Sequence, residues 1–173
     1  MDDKTIKQTA LKNRDEAFKM LFDLYFDRIT RYCLHLTGEP DESFDIAQEV
    51  LIKASLEEAL YSDGFQIRAW LYRVARNACL SYFRELKKKF RFLNMYRVEE
   101  SNSETIERNL EYERINRLLS KIPPKFRNVL YLRFYEDMSY EEIAEVEKIP
   151  VGSVKSRLSF AKEYLAEVLK NEQ

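Results

Sequence analysis

The 173-residue sequence is poor in the residues that several functional classes require: one histidine, two cysteines, three glycines and four prolines. A lone His35 cannot build a histidine-based metal centre, and near the end of an apolar helical stretch it reads as structural. Cys33 and Cys79 are too few for a disulfide scaffold and match no metal-ligand spacing, which points to a reducing, cytoplasmic setting. So few glycines leave no Gly-rich phosphate loop, and with so few prolines they cannot supply the tight turns of an all-β fold. No window approaches the roughly 18 apolar residues of a membrane span, and Met1–Lys4 lacks the apolar centre of a signal peptide. No carboxylate constellation stands out either, so neither an enzyme nor a cofactor, metal or small-molecule substrate is expected.

What is present favours helix. Hydrophobic residues make up 45% of the chain and aromatics 13%, enough to fill a core, and Leu, Glu, Lys, Arg and Ala are plentiful. The expected class is all-α: two small helical domains joined by a flexible linker, the second containing a helix-turn-helix. Ala17, Phe18, Leu21, Phe22, Tyr25, Ile29, Tyr32 and Leu36 recur at helical spacing and stop at Gly38 and Pro40. Asp41 is placed to cap a second helix with Ala47, Val50, Leu51 and Ala54 inward. A third carries Ile67, Leu71, Val74, Ala78 and Tyr82 on one side. Periodicity fades near Asn94 and resumes from Ile106. The expected domains are therefore residues 1–92 and 106–173, with a linker over 93–105. In the second domain, helical stretches are expected over Lys125–Tyr135, Tyr140–Glu147 and Gly152 to about Leu169, and Pro123-Pro124 opens the first of them.

The net charge of −1 conceals a segregation. Between Glu39 and Asp63 stand eight acids against the single base Lys53; between Gln66 and Phe92 stand eight bases against the single acid Glu85. Adjacent blocks of opposite sign imply two different partners, one of them anionic. On the basic helix Arg73, Arg76, Asn77, Arg84 and Lys87 fall within about 100° of one another. Tyr72 and Phe83 flank that face, and Trp70 lies between it and the apolar stripe. Arginine and lysine mixed with aromatics suit unstacked bases, since every base has a face to stack on. On the acidic helix Asp45, Gln48, Glu49 and Ile52 share the outward side, an arrangement suited to docking a basic partner helix.

Near the C-terminus, Ser139 and Glu142 have the spacing of a capping box. Pro150 stops the short helix that follows, and a second helix places Val154, Leu158, Ala161 and Leu165 inward. Ser153, Ser156, Ser159 and Phe160 then point outward, with Lys155 and Lys162 along one edge and Arg157 along the other. Short hydroxyls and basic ends at these positions suit base edges and phosphates of a major groove.

These segments resemble a known family. Asp45–Ala54 looks like region 2.2 of the extracytoplasmic-function group of the sigma-70 family; Arg68–Arg84 resembles regions 2.3 and 2.4; Ile122–Phe134 and Ser139–Arg157 are similar to region 4. The resemblance implies an alternative sigma factor whose first domain docks on core RNA polymerase and melts the −10 element, and whose second reads the −35 element. The partners it implies are core RNA polymerase and promoter DNA, as −35 duplex and melted −10 strand. It also implies an anti-sigma protein of a kind that can be membrane-anchored. By position, Asp45, Gln48 and Glu49 fall in the polymerase-binding motif. Asn77 and the loop of Tyr61, Ser62, Asp63, Gly64 and Phe65 fall where a flipped −10 base is held. One departure stands out: relatives often carry a basic residue on each side of the recognition-helix alanine, whereas Phe160-Ala161-Lys162 keeps only the second. The alternative is a helix-turn-helix regulator that works without polymerase. It would leave the acidic face and the basic, aromatic helix without a task, and it would usually be a symmetric dimer.

Overall fold

A computed structural model of the chain describes residues 2–93 and 122–170. All but the first residue of the expected linker, and the patterning from Ile106 to Leu119, lie outside the described residues. The chain divides into two units, Met1–Tyr96 and Arg97–Gln173, and every regular element among the described residues is helical.

The first unit holds α1 (Asp3–Ala10), α2 (Arg14–Thr37), α3 (Pro40–Leu56), a 3-10 turn (Glu58–Tyr61) and α4 (Ile67–Leu93). α2 starts where Asn13 accepts from the Glu16 N–H and ends at Gly38 in the left-handed region. α3 begins one residue before the expected cap: Glu39 is its N-cap and Pro40, with its fixed φ, its first residue. Asp41 is inside the first turn, where its charge faces the positive helix end. The core is formed by Leu21, Tyr25, Ile29 and Tyr32 of α2, Ala47, Val50, Leu51 and Ala54 of α3, and Ile67, Leu71, Tyr72, Ala75 and Cys79 of α4. Cys33 and Cys79, 46 positions apart in the chain (79 − 33), meet in this core as free thiols. The hydrogen bond between them, with burial, pushes the Cys33 thiol far above its ordinary range.

Three expectations are corrected here. The buried arc of α4 runs through Tyr72, Ala75 and Cys79 rather than Val74, Ala78 and Tyr82, which are half-buried. The reason is that α4 rests on both α2 and α3, so its covered arc is centred between two neighbours. Tyr72, expected beside the basic face, is fully buried with its ring 4.9 Å from that of Tyr32. Phe22, expected in the core stripe, is exposed.

The second unit holds α5 (Pro124–Leu130), a π turn (Tyr131–Tyr135), α6 (Tyr140–Glu147) and α7 (Val151–Lys170). Helical structure runs to Tyr135 as expected, but its last five residues form the π turn. Within it Leu132 is buried while Phe134 and Tyr135 stand in solvent. α7 starts at Val151, one residue earlier than expected, because the Pro150 carbonyl already accepts from Ser153 and Val154.

Candidate docking and nucleic-acid interfaces

With Ala47, Val50, Leu51 and Ala54 packed inward, α3 turns Asp45, Gln48, Glu49 and Ile52 to solvent. Ile52 is 60% exposed, and one turn on Leu56 is 76% exposed. Sequence reasoning missed Leu56, although the i,i+4 step from Ile52 marks it. At the other end of the face the exposed Phe44 meets Phe26 edge-on at 5.3 Å, and Phe26 stacks on Phe22 at 4.8 Å. Apolar side chains rimmed by carboxylates are suited to a basic helix with an apolar stripe. The Lys53–Glu49 pair, 3.9 Å and open to solvent, contributes little. Glu49 also borders a groove of about 360 Å³ between α3 and α4, walled by Glu42, Asn77, Tyr82 and Glu85. The structure thus sets Glu49 and Asn77, assigned above to different partners, along one groove.

On α4 Asn77 and Arg84 are exposed and Arg73 and Arg76 half-buried, on the side away from Leu71, Ala75 and Cys79. Phe83 is half-buried, its ring 5.6 Å from that of Tyr82. In the loop before α4, Ser62, Asp63 and Gly64 are exposed while Tyr61 and Phe65 are half-buried. Gly64 has φ of 78°, a left-handed conformation that glycine enters without strain. Tyr61 turns inward beneath the Arg14 guanidinium, 5.0 Å from ring centroid to Cζ. Burial pushes its phenol above the ordinary range against the lowering pull of Arg14. The outward polar side chains of the loop are therefore Ser62 and Asp63, and Ser62 Oγ itself donates to the Ala59 carbonyl.

In the second unit the capping box forms as expected: Ser139 Oγ accepts from the Glu142 N–H at 3.1 Å and Glu142 accepts from the Ser139 N–H at 2.8 Å. Such a cap contributes about 1 kcal/mol. α6 ends at Lys148 with φ of 55°, and Val154, Leu158 and Ala161 bury the inner face of α7. Lys155, Ser156, Ser159, Phe160 and Lys162 are exposed, and Ser153 is half-buried. Ser156 donates to the Gly152 carbonyl, and Ser159 donates to Glu163, an acid on the same face that the sequence reading passed over. Phe160, 57% exposed, lies 6.1 Å from Phe126, and Lys125 stands over the Phe126 ring at 4.8 Å. Together with Pro150, Gly152, Ser153 and Ser156 they line a groove of about 500 Å³. On the opposite edge Lys155 stands over Tyr140 and Lys162 over Phe134, at 5.8 and 5.4 Å.

Arg157 also borders that groove but turns its guanidinium inward. Its Nη1 donates to Glu147 Oε2 at 2.8 Å, and Asn128 Nδ2 donates to Glu147 Oε1 at 2.5 Å. The Glu147 side chain is 2% exposed and that of Arg157 26%. A buried carboxylate thus ties α5, α6 and α7 together through Asn128 and Arg157.

Among the described residues no group of three or more His, Cys, Asp and Glu is arranged to hold a metal ion, and no helix is long and apolar enough to cross a membrane. Comparison with known proteins identifies two family matches: Sigma-70 region 2 over residues 21–89 and Sigma-70 region 4 over residues 112–165. The chain is 31% identical to the ECF RNA polymerase sigma factor SigW of Bacillus subtilis, covering 97% of this chain and 96% of SigW. It is 28% identical to the RNA polymerase sigma factor YlaC of the same organism, covering 79% and 82% of the two chains. Among solved structures it is similar to the sigma factor RpoE of Bartonella quintana, crystallised with the anti-sigma factor NepR. That match has a TM-score of 0.73 and 24% identity and covers 90% of this chain and 98% of RpoE. It also shares its fold with CnrH, solved with the cytosolic domain of CnrY, at a TM-score of 0.69 and 23% identity over 99% of both chains.

Proposed function

Because the chain belongs to the extracytoplasmic-function group of RNA polymerase sigma factors, and so directs promoter-specific initiation, we propose the following division of labour among its faces. Residues 1–92 form the domain that docks on core polymerase and opens the −10 element, residues 93–105 link it onward, and residues 106–173 read the −35 element. Asp45, Gln48, Glu49 and Ile52 meet the polymerase, with Leu56 extending the apolar contact. Arg73, Arg76 and Arg84 follow the phosphates of the melted strand, and Phe83 offers a ring edge to its bases. Asn77 and the Ser62–Phe65 loop take up an extruded base, for which Tyr61 forms the inner wall. On α7, Ser153, Ser156, Ser159 and Phe160 face the bases, and Lys155 and Lys162 face the phosphates. Arg157 we assign to bracing the recognition helix through Glu147 rather than to DNA.

The observation that carries this reading is the pairing, within one compact unit, of a carboxylate-rimmed aliphatic face on α3 with a basic face on α4. A DNA-binding module alone needs only the second. The chain acts by binding and carries no catalysis of its own, and it works in the cytoplasm beside its polymerase. Following the pairing of RpoE with NepR, we extend an anti-sigma partner to this chain, competing for the α3 face. Co-elution with core polymerase in size-exclusion chromatography, followed by transcription from a promoter library, tests the reading. A chain that binds promoter duplex yet never co-elutes with core would refute it.

A further inference from the structure

α1 fully buries a single side chain, Ile6. Its polar groups nonetheless reach far along the chain, and they converge on one place. Lys7 Nζ donates to the Phe65 carbonyl at 2.6 Å, a contact spanning 58 residues. Asp3 Oδ1 accepts from the Tyr25 hydroxyl at 2.5 Å, while Asp3 Oδ2 accepts from the Arg68 N–H at 3.4 Å, in the first turn of α4. Arg14, the first residue of α2, covers the Tyr61 ring. α1 itself packs on the 3-10 turn that leads into the loop. Both ends of the 61–65 loop, and the start of the basic helix after it, are therefore held by the first 14 residues.

From this convergence we propose that α1 is a positioning element for −10 recognition. Lys7 and Asp3 fix the loop and the first turn of α4 in the conformation that accepts the extruded base, and they touch no DNA themselves. The physical reason is preorganisation. A loop with Gly64 in the left-handed region and two exposed polar side chains has little burial of its own to hold one shape. A charged donor on its closing carbonyl and a carboxylate on the first turn of α4 supply the missing constraint. The base would otherwise have to order the loop as it bound.

The inference rests on the assignment of this loop to the −10 base, and the test separates the two. Full-length wild type and the Lys7→Met, Lys7→Arg, Arg14→Gln and Asn77→Ala variants are assembled with core polymerase and transcribed from a library randomised at −10. Amide hydrogen exchange is measured on the same proteins. Lys7→Met is expected to speed exchange at residues 61–68 while leaving the α2–α3 core protected. It should flatten the preference at the extruded-base position by roughly tenfold, the scale of one hydrogen bond from a charged donor. Affinity for −35 duplex and for core should stay at wild-type values. Lys7→Arg, which keeps a donor, should restore most of the preference, and Arg14→Gln should weaken it partially. If Asn77→Ala alters −10 preference while Lys7→Met leaves it intact, α1 is structural only and the proposal is overturned. If both variants leave −10 preference intact, the loop assignment falls and the proposal falls with it.

Discussion

Glu147 offers the sharpest test of how α7 presents itself to DNA. Replacing it with Gln keeps the volume and a carbonyl oxygen for Asn128 but removes the negative charge from Arg157. Breaking a buried ion pair from one side costs about 3–5 kcal/mol when the orphaned charge stays buried. Here the Arg157 side chain is already 26% exposed and can swing out to water, so the loss should be smaller, about 2 kcal/mol. Arg157 already borders the groove beside Ser153 and Ser156, where a phosphate of bound duplex would pass, and the released guanidinium is free to meet it. Glu147→Gln is therefore expected to weaken the fold yet strengthen non-specific attraction to DNA. Each added phosphate contact steepens the dependence of log affinity on log salt by about 0.9. Between about 50 and about 200 mM salt the variant should lose about threefold to fourfold more affinity than wild type. Urea denaturation and fluorescence anisotropy on a −35 duplex, both with the full chain, measure the two effects. A variant as stable as wild type, with an unchanged salt slope, would show that Glu147 does not hold Arg157 and that the brace is mistaken.

Three other outcomes follow from the assigned faces. Glu49→Lys should leave the fold intact and weaken core binding by several kcal/mol, since a like charge then faces a basic partner; a pull-down titration matching wild type removes Glu49 from the interface. Asn77→Ala should alter preference at one −10 position, whereas Arg76→Ala should weaken all promoters alike; identical permanganate footprints for both variants and wild type would contradict this. Phe160→Arg should raise general affinity and shift −35 preference by about 1–3 kcal/mol at one position. If a randomised −35 library yields the same sequences as wild type, Phe160 is not at the base edges. Its packing on Phe126 would then be its whole role.

The signals that were legible in the sequence are local ones. A hydroxyl and a glutamate three residues apart make a capping box wherever they start a helix, so Ser139 and Glu142 could be read without a fold. The spacing of Ala47, Val50, Leu51 and Ala54 leaves only one face of α3 for Asp45, Gln48, Glu49 and Ile52. The same logic holds for Val154, Leu158 and Ala161 in α7 and for its exposed Lys155, Ser156 and Phe160. Charge segregation needs no coordinates at all. α1 was missed although Asp2 caps it through the Thr5 N–H at 2.8 Å, because it buries only one fully covered side chain, Ile6.

Composition, helical period and caps determined that the chain is helical, where most helices begin, and, on α3 and α7, which side meets solvent. They could not decide which helix supplies the covering neighbour. Tyr72 reads as a flank residue until α2 brings Tyr32 against it, and Phe22 reads as core although its ring, stacked on Phe26, stays exposed. Arg157 reads as a DNA contact on its own helix, and only the fold brings Glu147 of another helix within 2.8 Å of it. Lys7 and Asp3 find their partners 58 and 65 residues downstream. A periodic pattern fixes an azimuth on one helix, because it depends on bonds a few residues long. The partner of a charge depends on distances through space, and only the packed fold sets those.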